Sequence, residues 1–108
     1  MRSINRFAIV VTAREPCRAW ARSCPDASFT DDEVDDAFAS VYLIDECEPD
    51  RVIRRHYAKI FEEQLNSWHR DEAFWPPRRT EAMFRDWFEF RVVDMVLDVG
   101  RRPIEADE

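Results

Sequence analysis

The residues best suited to chemistry in this 108-residue chain lie together in one short segment. Trp75, Pro76 and Pro77 form a stiff aromatic corner, and the basic pair Arg78 and Arg79 follows it directly. Two guanidinium groups just before a helix could hold a carboxylate or a phosphate, because the free N–H groups and the dipole of a helix start also favour an anion. Trp75 could form one wall of such a site.

A nearby histidine extends this candidate site. His69 could act as a base beside an oxyanion clamp made by Arg78 and Arg79. The alternative is structural, because aromatic side chains at helical spacing are usually core. In that case the tryptophans pack inside the protein and the arginines pair with neighbouring carboxylates, namely Asp71, Glu72 and Glu81. A solvent-open pocket beside the arginines would favour the first interpretation.

Other catalytic and metal-binding patterns are missing from the sequence. One glycine is too few for the glycine-rich loops of nucleotide sites. His56 and His69 form no paired-histidine motif, and the acidic clusters lack the spacing of a calcium loop. Cys17, beside Arg14 and Arg18 near a helix start, is the better candidate for a reactive thiol. We therefore assign no catalytic residue, no metal and no cofactor.

Composition and charge limit the partners and the compartment. The formal net charge is −7, so the average field repels nucleic-acid phosphates and anionic lipid head groups. A hydrophobic content of 45% is too high for a disordered chain. The first apolar run, from Phe7 to Val11, is too short for a membrane span or a signal peptide. The sequence predicts a folded cytoplasmic protein with no nucleic-acid or membrane partner.

The first half of the chain shows two strand patterns and two helix patterns. Ile4 to Thr12, rich in β-branched residues, is predicted to be a strand covered on both faces, and Val41 to Ile44 a second buried strand. Pro16 suits the first turn of a helix. The apolar face of that helix comprises Cys17, Trp20, Ala21 and Cys24. Thr30 and Glu33 form a capping-box pattern before a short helix. The apolar side of the short helix comprises Val34, Ala37 and Phe38.

The second half predicts a long helix, a short helix and a strand. Apolar residues recur at helical spacing from about Pro49 to Trp68. The two prolines after Trp75 end any helix, and Thr80 is a good cap for a helix carrying Met83, Phe84 and Trp87. From Phe88 to Val99 helical spacing also fits, but the alternation favours a strand. Its apolar parity flips near residues 92 and 93, which a bulge or a change to full coverage would explain.

Together these elements predict an α/β fold. We expect a single-layer sheet of about three strands packed against three to four helices. Residues 1–100 would form one domain, and residues 101–108 an acidic C-terminal tail. If the first two strands are parallel neighbours, their connection should be right-handed.

Three segments carry a resemblance to a known family. They are Phe7 to Val11 with Glu15-Pro16, Val41 to Ile44, and the block that runs from Phe61-Glu62-Glu63 through Trp75-Pro76 to Met83-Phe84 and Trp87-Phe88. In these segments the chain resembles a small, uncharacterised bacterial family of acidic α/β proteins. The resemblance covers most of the chain and implies a single bacterial domain. It transfers no activity, ligand or catalytic residue.

The leading functional hypothesis is a non-enzymatic cytoplasmic domain that binds a protein partner with a basic surface. An acidic inhibitor or immunity-like protein is one concrete form, since acidic proteins can neutralise basic ones by electrostatic complementarity. The alternative is a small-anion-binding protein or an enzyme that uses Arg78 and Arg79. The candidate site residues are Trp75, Arg78, Arg79 and His69. The oligomeric state stays open.

Overall fold

The computed structural model describes residues 1–25, 29–36 and 39–107. In chain order its elements are β1 (Arg2–Ile4), β2 (Phe7–Ala13), α1 (Glu15–Ser23), α2 (Asp31–Asp35), β3 (Ser40–Ile44), α3 (Val52–Trp68), α4 (Glu81–Trp87), β4 (Phe88–Val93) and β5 (Val96–Asp98). Short 3₁₀ turns at Pro49–Arg51 and Glu72–Phe74 precede α3 and the aromatic corner. The predicted mixed α/β fold is confirmed, and so is the order of its larger elements.

The larger sheet is antiparallel, with the strand order β3-β2-β4. Ile9 at its centre lies opposite Tyr42 of β3 on one side and Val92 of β4 on the other. The condition for a right-handed connection, that the first two strands be parallel neighbours, is not met, because the chain returns through α1 and α2 to run antiparallel to β2. Strands β3 and β4 are therefore the two edges of the sheet.

The predicted first and last strands each divide into two. β1 pairs with β5 in a separate two-stranded sheet, while β2 pairs with β4. Between the pairs Ile4↔Val96 and Ala8↔Val93, residues 5–7 face residues 94–95, so one strand carries an extra residue and the register shifts. The interruption lies next to the predicted parity flip, but the extra residue is in the opposite strand and does not change the parity of residues 88–99. The alternative explanation, a change to full coverage after residue 93, is wrong, because the apolar side chains there are exposed: Met95, Leu97 and Val99.

The helices bury one face of the three-stranded sheet. Ile9 and Val11 of β2 belong to a single buried cluster with residues of α1, α3 and α4. Phe61 of α3 is its aromatic centre, with its ring 5.9 Å from Phe84 and 5.3 Å from Phe88. Tilted and edge-on aromatic pairs at these distances add to the stabilisation from burial. The core therefore lies between the sheet and the helices.

The opposite face of the sheet is open at β3. Val41 is 60% exposed and Leu43 51%, and they alternate with half-buried Tyr42 and buried Ile44. The prediction that β3 is buried on both faces is therefore wrong. Strand β2 is intermediate, since on this face Ala8 is buried but Val10 is only half-buried. A short apolar run does not reveal that one of its faces lacks a covering layer.

The predicted helices begin and end near the expected residues. Pro16 lies in the first turn of α1, and α3 ends at Trp68 as the periodicity indicates. Regular α-helix begins at Val52, because Pro49 lies in a preceding 3₁₀ turn. Gln64, buried on α3, was not predicted to face the interior, and its side-chain amide donates to the Tyr42 hydroxyl at 2.7 Å.

Two predicted helix caps are confirmed. Thr30 and Glu33 form both hydrogen bonds of a capping box at α2. The Thr80 hydroxyl accepts from the backbone N–H of Met83 at 3.1 Å and so starts α4. The expectation for Ala37 and Phe38 on the apolar side of α2 lies outside the described residues.

Replacing Thr80 by alanine should lower the free energy of unfolding by about 1 kcal/mol, because the N–H of Met83 loses its acceptor. Thermal or urea denaturation would measure the change. Thr80→Ser is the matched control, since it keeps the hydroxyl and should retain most of the stability. Equal losses in both variants would contradict the capping role.

Candidate functional site

Trp75, the first predicted site residue, is tied into the fold. Its indole Nε1 donates to the backbone carbonyl of His69 at 2.7 Å, and its own N–H donates to the Glu72 carbonyl. The ring is half-buried and packs against the edge of the core cluster. The indole nitrogen therefore stabilises the connection between α3 and α4 and is not free to bind a ligand.

Arg79 joins the aromatic corner to the long helix. Its guanidinium lies over the Trp75 ring, 5.6 Å from the centroid, and donates to the Pro76 carbonyl at 2.9 Å. A third contact reaches the Glu62 carboxylate on α3 at 3.5 Å. A cation over an aromatic ring and a partly buried ion pair both favour this fixed position. The Arg79 guanidinium therefore has its partners within the chain.

His69 has both ring nitrogens engaged. The N–H of Asp71 donates to Nδ1 at 3.1 Å, so Nε2 carries the proton and donates to the Pro25 carbonyl at 3.0 Å. The ring also meets Phe74 edge-on, with 4.9 Å between the centroids. Serving as a general base would require His69 to give up the hydrogen bond from Asp71.

Arg78 is the exposed member of the predicted site. It makes no hydrogen bond or ion pair with another residue that the structure describes. The start of α4 beside it is already capped by the Thr80 hydroxyl, and Glu81 places a carboxylate in its first turn. An anion clamp at this corner would therefore rest on Arg78 alone.

Four cavities in the described part of the chain lie away from this corner. Their volumes are about 380 to 570 Å³, and neither Arg78 nor Arg79 lines any of these four. Two of the four involve residues 98–105 at and after the end of β5, and one of these is also lined by Met1 and Arg2. The pocket beside the arginines that would have favoured the anion-binding alternative is not among them.

The candidate thiol is buried. Cys17 has no exposed surface, and burial raises the pKa of its thiol to about 12 despite the nearby Arg18 guanidinium. The protonated form therefore dominates at neutral pH, and a thiolate nucleophile is not favoured there. Cys24 and Cys47 are also free thiols, and both are half-buried.

In the native protein a thiol reagent at pH 8 should modify Cys24 and Cys47 well before Cys17, because access and ionisation both limit the buried thiol. Peptide mapping by mass spectrometry would follow each site. In urea all three should react at similar rates. Modification of native Cys17 as fast as Cys24 would show that α1 opens readily.

A groove between β3 and α3 was missed by the sequence reasoning. It has a volume of about 500 Å³. Its lining residues are Tyr42, Leu43 and Ile44 from β3, and His56, Lys59, Ile60 and Glu63 from α3. Tyr42 is held in place by Gln64, and burial, with a smaller contribution from the Glu63 charge, raises the pKa of its phenol. The groove combines an apolar floor with charged groups on its helical side.

The sequence contained only part of the information needed to predict this groove. The spacing of His56, Lys59, Ile60 and Glu63 places them along one side of α3. Nothing in the sequence showed that β3 would be an edge strand, and only the edge position leaves this side of the helix open.

The described residues hold no group of three or more histidine, cysteine, aspartate or glutamate side chains that could bind a metal ion. None of the helices in the described ranges has the length and apolar character needed to cross a bilayer. The chain therefore has a mixed α/β fold with an open sheet edge and a groove beside it. No family model, no curated protein and no solved structure matches the chain. The resemblance to a bacterial family stays a prediction.

Proposed function

We propose that this chain is a non-enzymatic cytosolic domain that binds a protein partner with a basic surface. The observation that carries the proposal is the exposure of Val41 and Leu43 on the edge strand β3. An exposed apolar edge strand invites aggregation unless something pairs with it or covers it. A protein partner would do both.

The charge around β3 supports a basic partner. The segment that follows the strand holds four exposed carboxylates, at Asp45, Glu46, Glu48 and Asp50. Two of these carboxylates are paired, Asp45 with Arg6 at 3.8 Å and Glu48 with Arg51 at 3.3 Å. The four carboxylates outnumber these two arginines, so the segment has a net negative charge. Together with the net charge of −7 this attracts a positive surface and speeds its association. An inhibitor of a basic enzyme or toxin is one concrete form.

The aromatic corner supports the proposal less than β3 does. Three of its four predicted site residues make contacts inside the chain, and Arg78, the exposed one, would repel a basic surface rather than attract it. The corner as a partner-binding site stays a prediction that the variants below can test. The geometry therefore favours the sheet edge as the binding surface.

Affinity capture with quantitative mass spectrometry tests the proposal. The wild type is compared with Leu43→Lys, which places a cation on the apolar surface, in lysate of the organism that encodes the chain. Ala82→Lys, at an exposed position of α4, is the matched control with the same added charge. We expect a basic protein that is enriched by the wild type and by the control and depleted at least fivefold with Leu43→Lys.

Circular dichroism must first show that all three proteins are equally folded. If the three retain the same proteins in the same amounts, β3 takes no part in binding and the proposal fails. A specifically enriched partner that is acidic would contradict the electrostatic half of the proposal alone.

A further inference from the structure

We infer that the outer edge of β3 receives an extended segment of the partner as an added strand, with an arginine or lysine of that segment against Glu63 in the groove beside α3. The inference rests on the proposed function, because it specifies how the partner is bound. Three features of the described residues lead to it: a free backbone edge, a groove of matching position and a local charge pattern.

The backbone edge comes first. β3 pairs with β2 along Ser40–Ile44 and has no strand on its other side within the described residues. In an antiparallel pair alternate residues direct their N–H and C=O groups away from the partner strand. These outward groups are the ones that an extended peptide uses when it adds to a sheet edge.

The groove lies where the side chains of an added strand would reach. Its floor holds Ile44 and Ile60, and the Glu63 carboxylate is exposed on its helical side. Glu63 forms no ion pair with another residue in the described ranges. The aliphatic stem of an arginine or lysine suits an apolar floor, while its cationic head reaches the carboxylate.

The position of Glu63 determines where the cation should sit. The Tyr42 hydroxyl accepts a hydrogen bond from Gln64, the residue after Glu63. Along the groove, Glu63 therefore lies close to Tyr42. Lys59, which also lines the groove, precedes Glu63 by about one helical turn. We therefore expect one cation opposite the middle of β3 and an uncharged side chain at the Lys59 level.

The open face of the sheet determines the alternate residues. Val41 and Leu43 point to that face, and side chains of an added strand alternate between the faces in the same way. Apolar residues of the partner would lie beside these two and cover them. The segment that fits is therefore extended, apolar at every second position, with an arginine or lysine among the intervening residues.

A second copy of this chain fits the edge less well. Antiparallel pairing of Ser40–Ile44 with itself is symmetric about Tyr42, so Glu63 from each copy would meet near the symmetry axis. Each copy also carries a formal net charge of −7. Like charges at a paired edge oppose association, which favours a basic partner over self-association.

The test uses a defined probe, a heptapeptide with blocked ends and the sequence valine-threonine-valine-arginine-valine-threonine-valine. Binding is followed by the NMR shifts of the β3 amides and by hydrogen exchange. We expect binding with protection of alternate amides in Ser40–Ile44, at least fivefold weaker affinity for Glu63→Lys, and no detectable binding of a peptide with alternate backbone nitrogens methylated. Glu89→Lys, on the opposite edge strand, is the matched control and should bind as the wild type does.

No binding at millimolar peptide would overturn the inference, and so would equal binding of the methylated peptide or equal losses for Glu63→Lys and Glu89→Lys. A wild-type dimer in sedimentation with protected β3 amides would put a second copy at the edge and also overturn it. The proposed function is tested separately by the capture experiment. If a basic partner binds the wild type there but not Leu43→Lys, the proposed function stands even if this peptide does not bind.

Discussion

Replacing Phe61 by alanine should lower the free energy of unfolding by about 3–5 kcal/mol, the usual cost of removing a buried phenylalanine ring. Phe61 has no exposed surface and lies 5.3 to 5.9 Å from the rings of Phe84, Trp87 and Phe88. Its loss leaves a cavity where α3, α4 and β4 meet. Urea denaturation followed by circular dichroism would measure the change.

The matched control is Phe74→Ala, the same substitution at a ring that is 44% exposed. Phe74 contacts the His69 ring but lies outside the core cluster, so we expect a loss of about 1 kcal/mol. If the two variants lost similar amounts, Phe61 would not be the aromatic centre of the fold.

Reversing the charge of Arg79 should lower the free energy of unfolding by about 1–3 kcal/mol. The Arg79→Glu variant loses the contact with the Trp75 ring and the hydrogen bond to the Pro76 carbonyl. It also places a second carboxylate beside Glu62 in a partly buried position. The corner would then be held to α3 less firmly.

Arg78→Glu, with the same charge reversal one residue earlier, is the matched control. Because Arg78 is exposed, we expect a change within about 0.5 kcal/mol in urea denaturation. Equal stability of the two variants would show that the contacts of Arg79 do not hold the corner. A large loss for Arg78→Glu would show that Arg78 has a structural partner.

Helices were the most predictable part of this fold. The apolar stripe of α3, the proline in the first turn of α1 and the caps at Thr30 and Thr80 are local signals, and each has a local physical cause. Local hydrogen bonds and helical spacing do not depend on distant segments. The sequence could therefore locate these elements without knowledge of the sheet.

The sheet was less predictable because its details depend on distant partners. The strand pairing is interrupted at residues 5–6 and at residues 94–95. These two interruptions lie opposite each other, between the β1–β5 pair and the β2–β4 pair. Coverage of a strand likewise depends on which elements pack on it. The run Val41 to Ile44 resembles a fully buried strand, yet its edge position and open face expose half of its apolar side chains.

The candidate site shows the same division between local and distant information. The Trp75 to Arg79 segment attracted attention because unusual residue types are adjacent in sequence. In the structure the Trp75 indole is hydrogen-bonded to the His69 carbonyl and the Arg79 guanidinium is paired with Glu62, so these polar groups already have partners within the chain. The groove beside β3 joins residues 42–44 to residues 56–63, and only the packing of α3 against an edge strand brings them together.

The binding surface can be tested most directly by measuring the affinity of the captured partner for three proteins in parallel: wild type, Leu43→Lys and Arg78→Glu. Isothermal titration calorimetry at fixed salt gives each dissociation constant. We expect Leu43→Lys to weaken binding at least tenfold, and Arg78→Glu to leave it unchanged or slightly tighter. The reverse order, with Arg78→Glu weakened and Leu43→Lys unchanged, would contradict a binding surface at β3 and place it at the aromatic corner.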